Sequence, residues 1–342
     1  MAVINFSSIS DEAKKRQSEL RYLPWIILLE VLKSLGINMK NVKGIDVITE
    51  AQRKGGLLRP YTVGGTPAAA TEIIKLSERN LQLKKAYLQL IDNINNYASA
   101  PILNNPFDSG DINQSKKHPL GKIILENNIK TFAEDVLDAM FFAERDDSGT
   151  TPLDIFDGFN TIIDDEVSAG NISTAKGNMV NTGTIASPGA GTFVALTQLV
   201  AFIRSADPAL RRYKANMYIT PNVYNYAIDS LENKMQYRDG DINALERYLN
   251  EKCSSQITIK KHEILGSGTR IMLMEPGLLD FGFDNFGDFD FVQVRNIDTD
   301  PNIVRFWMQA DMGVRLNGTH KKVLCINEQS AVASSISGDY VS

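Results

Sequence analysis

Between Pro119 and Phe141 apolar side chains recur at Leu120, Ile123, Ile124, Phe132, Ala133, Val136, Leu137, Met140 and Phe141, at intervals dominated by three and four residues. That interval gathers them on one face of an α-helix. Pro119 suits a first-turn position, where its missing N–H would have no partner within the helix. The pattern predicts a helix of about 25 residues, roughly 37 Å long at 1.5 Å per residue. A rod with one apolar stripe that long is a spine on which other elements must pack. The chain has 342 residues, 43% apolar and 23% charged, without a low-complexity tract. At that length two or more ordered substructures are expected.

The flanking sequence supplies the rest of the plan. Ser10, followed by Asp11 and Glu12, caps a first helix reaching about Gln17. Pro24 suits the opening of a second helix, which Gly36 would end. Its apolar run, 23–36, is about 14 residues long and is broken by Glu30 and Lys33, short of the ~20 a spanning helix needs. MAVINFSSISDEAKKRQ has no apolar core of signal-peptide type, which argues against secretion. The glycine pairs 55–56 and 64–65, with Pro60 and Pro67, make 54–72 an extended excursion, and Leu81, Leu83, Leu88 and Leu90 alternate with polar neighbours as a returning strand.

After the spine comes an amphipathic segment, PLDIFDGFNTIIDDEVSAG, then a small polar stretch over 170–191. Phe193, Leu196, Val200 and Ile203 define a helix and Asn216 to Thr220 a strand. Thr220-Pro221 caps a further helix with Tyr224, Ala227, Ile228 and Leu231 on one face, and INALERYLNEK forms another. From QITIKKHEIL to KKVLCIN the pattern is that of strands, so the chain is α+β.

Chemistry-bearing constellations are sparse. The formal charge of −5 comes from 36 basic and 41 acidic residues, the basic ones scattered in pairs, unlike the concentrated footprint of a DNA reader. Cys253 and Cys325 lack metal or redox spacing and read as small core residues. His118, His262 and His320 stand apart. Gly266-Ser267-Gly268 reads as a hairpin turn between two strands rather than a nucleophile elbow. SPGAGT, at 187–192, puts glycines before a helix but lacks a P-loop lysine. Asp164, Asp165 and Glu166 read as a solvated helix end.

GFDNFGDFDF, 282–291, offers Asp284, Asp288 and Asp290 as oxygen ligands, yet Phe289 stands where a calcium loop needs its glycine. The alternation of Phe281, Phe283, Phe289 and Phe291 about Asn-Phe-Gly reads instead as a hairpin with an acidic edge. No catalytic residue, cofactor or metal is expected.

Taken in order, these elements resemble the tailed-phage major capsid protein family, the Hong Kong phage type of fold. KLSERNLQLKKAYLQLIDN is similar to the family's strand returning from an extended loop. PLGKIILENNIKTFAEDVLDAMFFAERDDSGTTPLDIFDGF is similar to its spine helix and the junction after it, with Phe156, Gly158 and Phe159 in the matching places. GTFVALTQLVAFIRSADPALRRYKANMYITPNVYNYAIDSL resembles its axial domain, and FWMQADMGVRL with KKVLCIN its last strands. The likeness spans roughly residues 40 to 330, while residues 1 to 40, helical and apolar around Trp25, depart from a plain extended arm.

The resemblance implies an N-terminal arm (1–45), an extended loop and returning strand (46–105), and a peripheral domain with the spine helix (106–185). An axial domain (186–280), return strands of the peripheral domain (281–322) and a C-terminal axial segment (323–342) would follow. It implies self-assembly as hexamers and pentamers into an icosahedral shell that contains double-stranded DNA without reading it. Portal and scaffolding proteins would be partners, no membrane would be involved, and virions would assemble in the host cytoplasm. Arg53, Lys54 and Arg59, near the loop tip, would meet acidic partners on a neighbour, and Asp284, Asp288 and Asp290 would offer such an edge. The competing readings are a phosphate- or nucleotide-binding α/β enzyme using SPGAGT, and a tail or decoration protein.

Overall fold

The computed structural model of the chain describes residues 17–53, 74–93, 120–189, 192–235, 243–284, 293–297 and 300–333. Helix α1 (Gln17–Leu35) runs through Pro24 instead of opening there. An interior proline costs a helix ~3 kcal/mol, and burial of Leu28, Leu32 and Leu35 offsets it. Gly36, with φ +75°, ends the helix: its N–H donates to the Lys33 carbonyl and the Ile37 N–H to that of Leu32. Strand β1 (Asn38–Asn41) follows, then β2 (Ile45–Arg53), β3 (Ile74–Gln82) and β4 (Lys84–Asn93). The single returning strand read from the sequence is thus two strands, β3 and β4, divided at Leu83.

The spine is α2 (Leu120–Phe142), 23 residues long, or about 35 Å. Ile129, Phe132, Ala133, Val136, Leu137, Met140 and Phe141 are buried along it, as the repeat requires. The chain then crosses the end of its own helix. A Cβ on Gly158 would lie 2.7 Å from the Phe141 carbonyl carbon and 2.9 Å from the Ala139 oxygen, so only glycine fits that crossing. Phe159, opening α3 (Phe159–Ser168), sets its ring centroid 5.3 Å from that of Phe141.

The remaining elements are β5 (Met179–Val180), α4 (Val194–Ser205), α5 (Pro208–Arg212), β6 (Lys214–Ile219), α6 (Pro221–Met235), α7 (Ala244–Cys253), β7 (Gln256–Lys261), β8 (Ile271–Met274), β9 (Leu279–Phe283), β10 (Gln293–Ile297), β11 (Asp300–Leu316) and β12 (Leu324–Asn327). The predicted cap before α6 is present: Thr220 Oγ1 accepts from the Val223 N–H at 3.4 Å and donates to the Gly268 carbonyl at 2.6 Å.

The strands form three sheets. One is ordered β1-β9-β11-β10, with β4 also on β11. Met312 pairs with both Phe283 and Lys84, so β4 holds one edge of β11 while β9 and β10 share the other. Ala86, Phe306, Met308, Ala310 and Met312 line the inner face and share an apolar core with α1, α2 and α3. A second sheet, β5-β12-β8-β6-β7, shares a separate core with α4, α5, α6 and α7. The third is the antiparallel ribbon β2–β3.

This topology corrects the reading of GFDNFGDFDF. Its flanking strands β9 and β10 do not pair with each other but follow one another along β11, and the chain reverses between Ile297 and Asp300. From Phe283↔Met312 to Gln293↔Trp307 one arm advances ten positions while β11 retreats five, and residues 285–292 lie outside the described residues. Gly266-Ser267-Gly268 is likewise no hairpin turn, since β7 and β8 each pair with β6. It receives the chain's last described segment: the Ser267 N–H donates to the Val332 carbonyl at 2.9 Å, and a Cβ on Gly266 would meet that oxygen at 2.1 Å.

Candidate functional site

The ionic contacts of the first sheet concentrate where the ribbon is rooted. The Gly282–Gly313 pair, cross-strand neighbours of β9 and β11, leaves a bare strip on which the β3–β4 connection lies. A Cβ on Gly282 would sit 2.7 Å from Leu81 Cδ2, and one on Gly313 2.6 Å from the Gln82 carbonyl oxygen. Neither glycine has a positive φ; each is required by the closeness of the passing chain. Leu81, fully buried, pins the ribbon's inner face at this point.

Two arginines fix the ribbon to the sheet. Arg315 is 2% exposed and Asp280 0%, and they are cross-strand partners with Nη2 and Oδ2 2.8 Å apart. Arg315 also donates through Nη1 to the Asp46 carbonyl and through Nη2 to the Asp46 carboxylate on the ribbon, both at 3.0 Å, and through Nε to Asn317 at 2.9 Å. Lys40 Nζ stands 2.7 Å from Asp280, and Asn38 Nδ2 donates to the other carboxylate oxygen at 3.2 Å. Burial raises the Asp280 pKa, but hydrogen bonds from Lys40, Arg315, Asn317 and Asn38 together outweigh it and hold the carboxyl below its ordinary value.

Arg79, on β3, makes the second fastening. Its Nη1 reaches Glu166 on α3 at 2.8 Å, its Nη2 Thr319 at 2.9 Å, and its Nε Glu50 on β2 at 3.2 Å. Glu166 also accepts from Asn171 at 2.7 Å. The reading of Asp164, Asp165 and Glu166 as a solvated helix end is therefore corrected at Glu166, while Asp164 stays exposed as it pairs with the buried Arg270. Arg270 Nε further donates to the Gln329 carbonyl at 3.0 Å.

Of the predicted site residues, Arg53 and Asp284 are among the described residues. Arg53 is the last residue of β2, at the far end of the ribbon and paired with Ile74. Lys54 and Arg59 lie outside the described residues, as do Asp288 and Asp290. Asp284 is half-buried, its N–H 3.3 Å from the Asp311 carbonyl. Asp280, Arg315, Lys40, Asp46 and Arg79 went unread, although LLDFGF and MGVRL each carry one charge inside an apolar strand, and such a charge cannot be buried without a partner.

Cys253 and Cys325 are buried, and burial pushes the Cys325 thiol up to about 12. At SPGAGT the Gly189 carbonyl accepts from Thr192, and Asn233 of α6 donates to the Thr192 carbonyl at 3.0 Å. Among the described residues no group of three or more His, Cys, Asp or Glu is placed to hold a metal, and no helix is long and apolar enough to cross a membrane.

No protein-family model matches the sequence, and no curated protein is similar enough to match. Solved structures do match. The satellite phage P4 procapsid, which includes a size determination protein, contains a chain 11% identical to this one, with a TM-score of 0.54 over 91% of each chain. A chain in the capsid of the myovirus phage XM1 is also 11% identical, with a TM-score of 0.51 over 87% of this chain and 90% of that one. The likeness covers about nine-tenths of this chain and of each of those chains, and the protein has the tailed-phage capsid fold.

Proposed function

We propose that the chain is the major subunit of a tailed-phage capsid, assembling as hexamers and pentamers into an icosahedral shell around double-stranded DNA. The observation that carries this reading is the β2–β3 ribbon. It is fastened at its root by Arg79 and Arg315, while Ile45, Val47 and Leu76 on its outer face are exposed to solvent. Exposed apolar groups on a two-stranded ribbon are a liability for a monomer and an asset for a subunit that lies over its neighbour.

In this reading the first sheet with α1, α2 and α3 is the peripheral domain, and the second sheet with α4 to α7 is the axial domain. In residue terms the peripheral domain takes in 106–185 and 281–322, with α1, β1 and β4 added from the arm 1–45 and the loop 46–105, and the axial domain takes in 186–280 and 323–342, with β5 added. The role is structural, without catalysis or cofactor. Scaffolding and portal proteins are partners, assembly takes place in the host cytoplasm, and the mildly acidic chain contains DNA rather than gripping it. Arg53, Lys54 and Arg59 meet acidic groups of a neighbour, and Asp284, Asp288 and Asp290 contribute such an edge.

Negative-stain electron microscopy of the purified chain tests the reading: shells, capsomers or sheets are expected, and a monodisperse monomer at high concentration would overturn it. Arg59→Glu is expected to lower particle yield while leaving the melting temperature unchanged. Normal particles from that variant would remove the loop-tip contact from the proposal.

A further inference from the structure

Strand β4 is the exposed edge of the first sheet. Over Lys84–Asn93 it pairs with β11 on one side, and among the described residues no strand pairs with its other side. Every second residue of such a strand turns its N–H and C=O away from the ladder, which makes a long edge a template for another strand. Edges are ordinarily blunted by lysines, and the second sheet shows this. On its edge strand β7, Lys260 Nζ donates to the Ser34 carbonyl at 2.6 Å and Lys261 Nζ lies 3.6 Å from the Tyr224 ring centroid. On β4 the lysines stop at Lys85, and Tyr87, Leu90 and Ile91 follow with 69%, 38% and 58% of their surface exposed.

The pattern of these residues selects the occupant. Tyr87-Leu88-Gln89-Leu90-Ile91 reads the same in apolar character from either end, with Gln89 at its centre. Tyr87, Gln89 and Ile91 are on the solvent face, while Leu88 is on the face packed against the core. Only an even shift keeps like faces together when an antiparallel strand is added. With Gln89 opposite Gln89, Tyr87 meets Ile91 on the outer face and Leu88 meets Leu90 on the inner face. The Lys84–Lys85 end of one strand then lies beside the Asp92–Asn93 end of the other. Shifting the pair toward the lysines would put Lys85 opposite Ile91 and Tyr87 opposite Gln89. Shifting it the other way would carry Tyr87 and Leu88 beyond the apolar run. A self-complementary strand implies a two-fold contact.

We propose that β4 of one copy pairs antiparallel with β4 of a second copy about Gln89, joining two first sheets into one across a two-fold axis. This rests on the reading that the chain assembles with itself. It adds to the ribbon contact a second, isologous one, in which the apolar row of Tyr87, Ile91 and Trp307 is continued from copy to copy.

Opposed residues in an antiparallel pair have Cα atoms about 4.5–5.5 Å apart, within reach of a disulfide. Gln89→Cys in the full chain is therefore expected to give a covalent dimer on mild oxidation. Lys85→Cys, whose two copies would stand about 27 Å apart at 3.4 Å per residue, is expected to give none. The native cysteines are buried and do not compete. Adding Ile91→Lys to Gln89→Cys should cut the dimer roughly tenfold by charging the apolar row, with the melting temperature of the unassembled chain unchanged. No dimer from Gln89→Cys, or equal dimer from Lys85→Cys, overturns the pairing whether or not shells form. Absence of shells from the wild-type chain overturns the capsid reading whether or not the dimer forms.

Discussion

The spine helix and the ribbon are attached to the same sheet in different ways. Helix α2 shares with it an apolar core that contains Phe132, Val136, Met140 and Phe141 together with Phe306, Met308 and Met312. The ribbon meets it through Leu81 on Gly282 and the Gln82 carbonyl on Gly313, and through two arginines, Arg79 and Arg315, whose donors reach β2, α3 and Thr319 just past β11. An apolar contact depends on area, has no preferred angle and fails as a unit. Ion pairs depend on direction and on charge state, and they can be broken one at a time. A shell subunit needs both, a body that keeps its shape and a ribbon whose angle is set by few bonds.

The sharpest way to break the comparison is to remove one group from each side. Phe141→Ala is expected to destabilise the whole chain by about 4 kcal/mol, within the range for a buried phenylalanine, measured by urea unfolding of the unassembled protein. The loss should appear in every probe at once. A loss below about 1 kcal/mol would mean that the site collapses around the deletion and that the core is looser than its burial implies.

Arg315→Met should cost somewhat less, about 3 kcal/mol, because Asp280 is left buried with Lys40, Asn38 and Asn317 still on it. Hydrogen exchange should rise in β2 and β3 but not in α2. Adding Asp280→Leu should recover most of the loss, since an apolar pair of similar volume replaces the ionic one at little cost. Equal exchange in ribbon and spine would erase the distinction drawn between them.

The same contrast explains what could be read without coordinates. The spine was legible because its repeat is local: each apolar residue reports its own face, and Ile129 to Phe141 are buried as the interval requires. The helices after Gly191 and the cap at Thr220 were legible for the same reason. The ribbon root was not, because Arg315 and Asp46 are brought together from opposite ends of the chain, and no spacing records such a distance. GFDNFGDFDF misled because β9, which carries Phe281 and Phe283, is paired on both sides, by β1 and β11, and no local alternation reports such neighbours. Pro24 misled because a proline prefers the first turn, a preference worth less than the burial of Leu28, Leu32 and Leu35.

The smallest expected effect separates the two regions by pH. Asp135, on the spine helix, has its pKa raised to about 6 by burial, then by the neighbouring charges of Asp138 and Glu134. Asp280, at the ribbon root, is held low. For Asp135 the folded state keeps its proton between about 4 and about 6 while the unfolded state releases it, so stability falls as pH rises through that window. For Asp280 the sign is opposite: its contribution is present above the ordinary carboxyl pKa and is lost as pH falls through the depressed one. Asp135→Asn should thus leave stability at pH 4 unchanged and raise it at pH 7, by on the order of 1 kcal/mol after discounting for solvent screening of a half-exposed group. Melting temperatures of wild type and variant across pH 4 to 7 measure it. Parallel curves would show that the spine carboxylate is not held against its charge, whereas a gap that opens with pH would show that acid tightens the spine in the direction that loosens the ribbon.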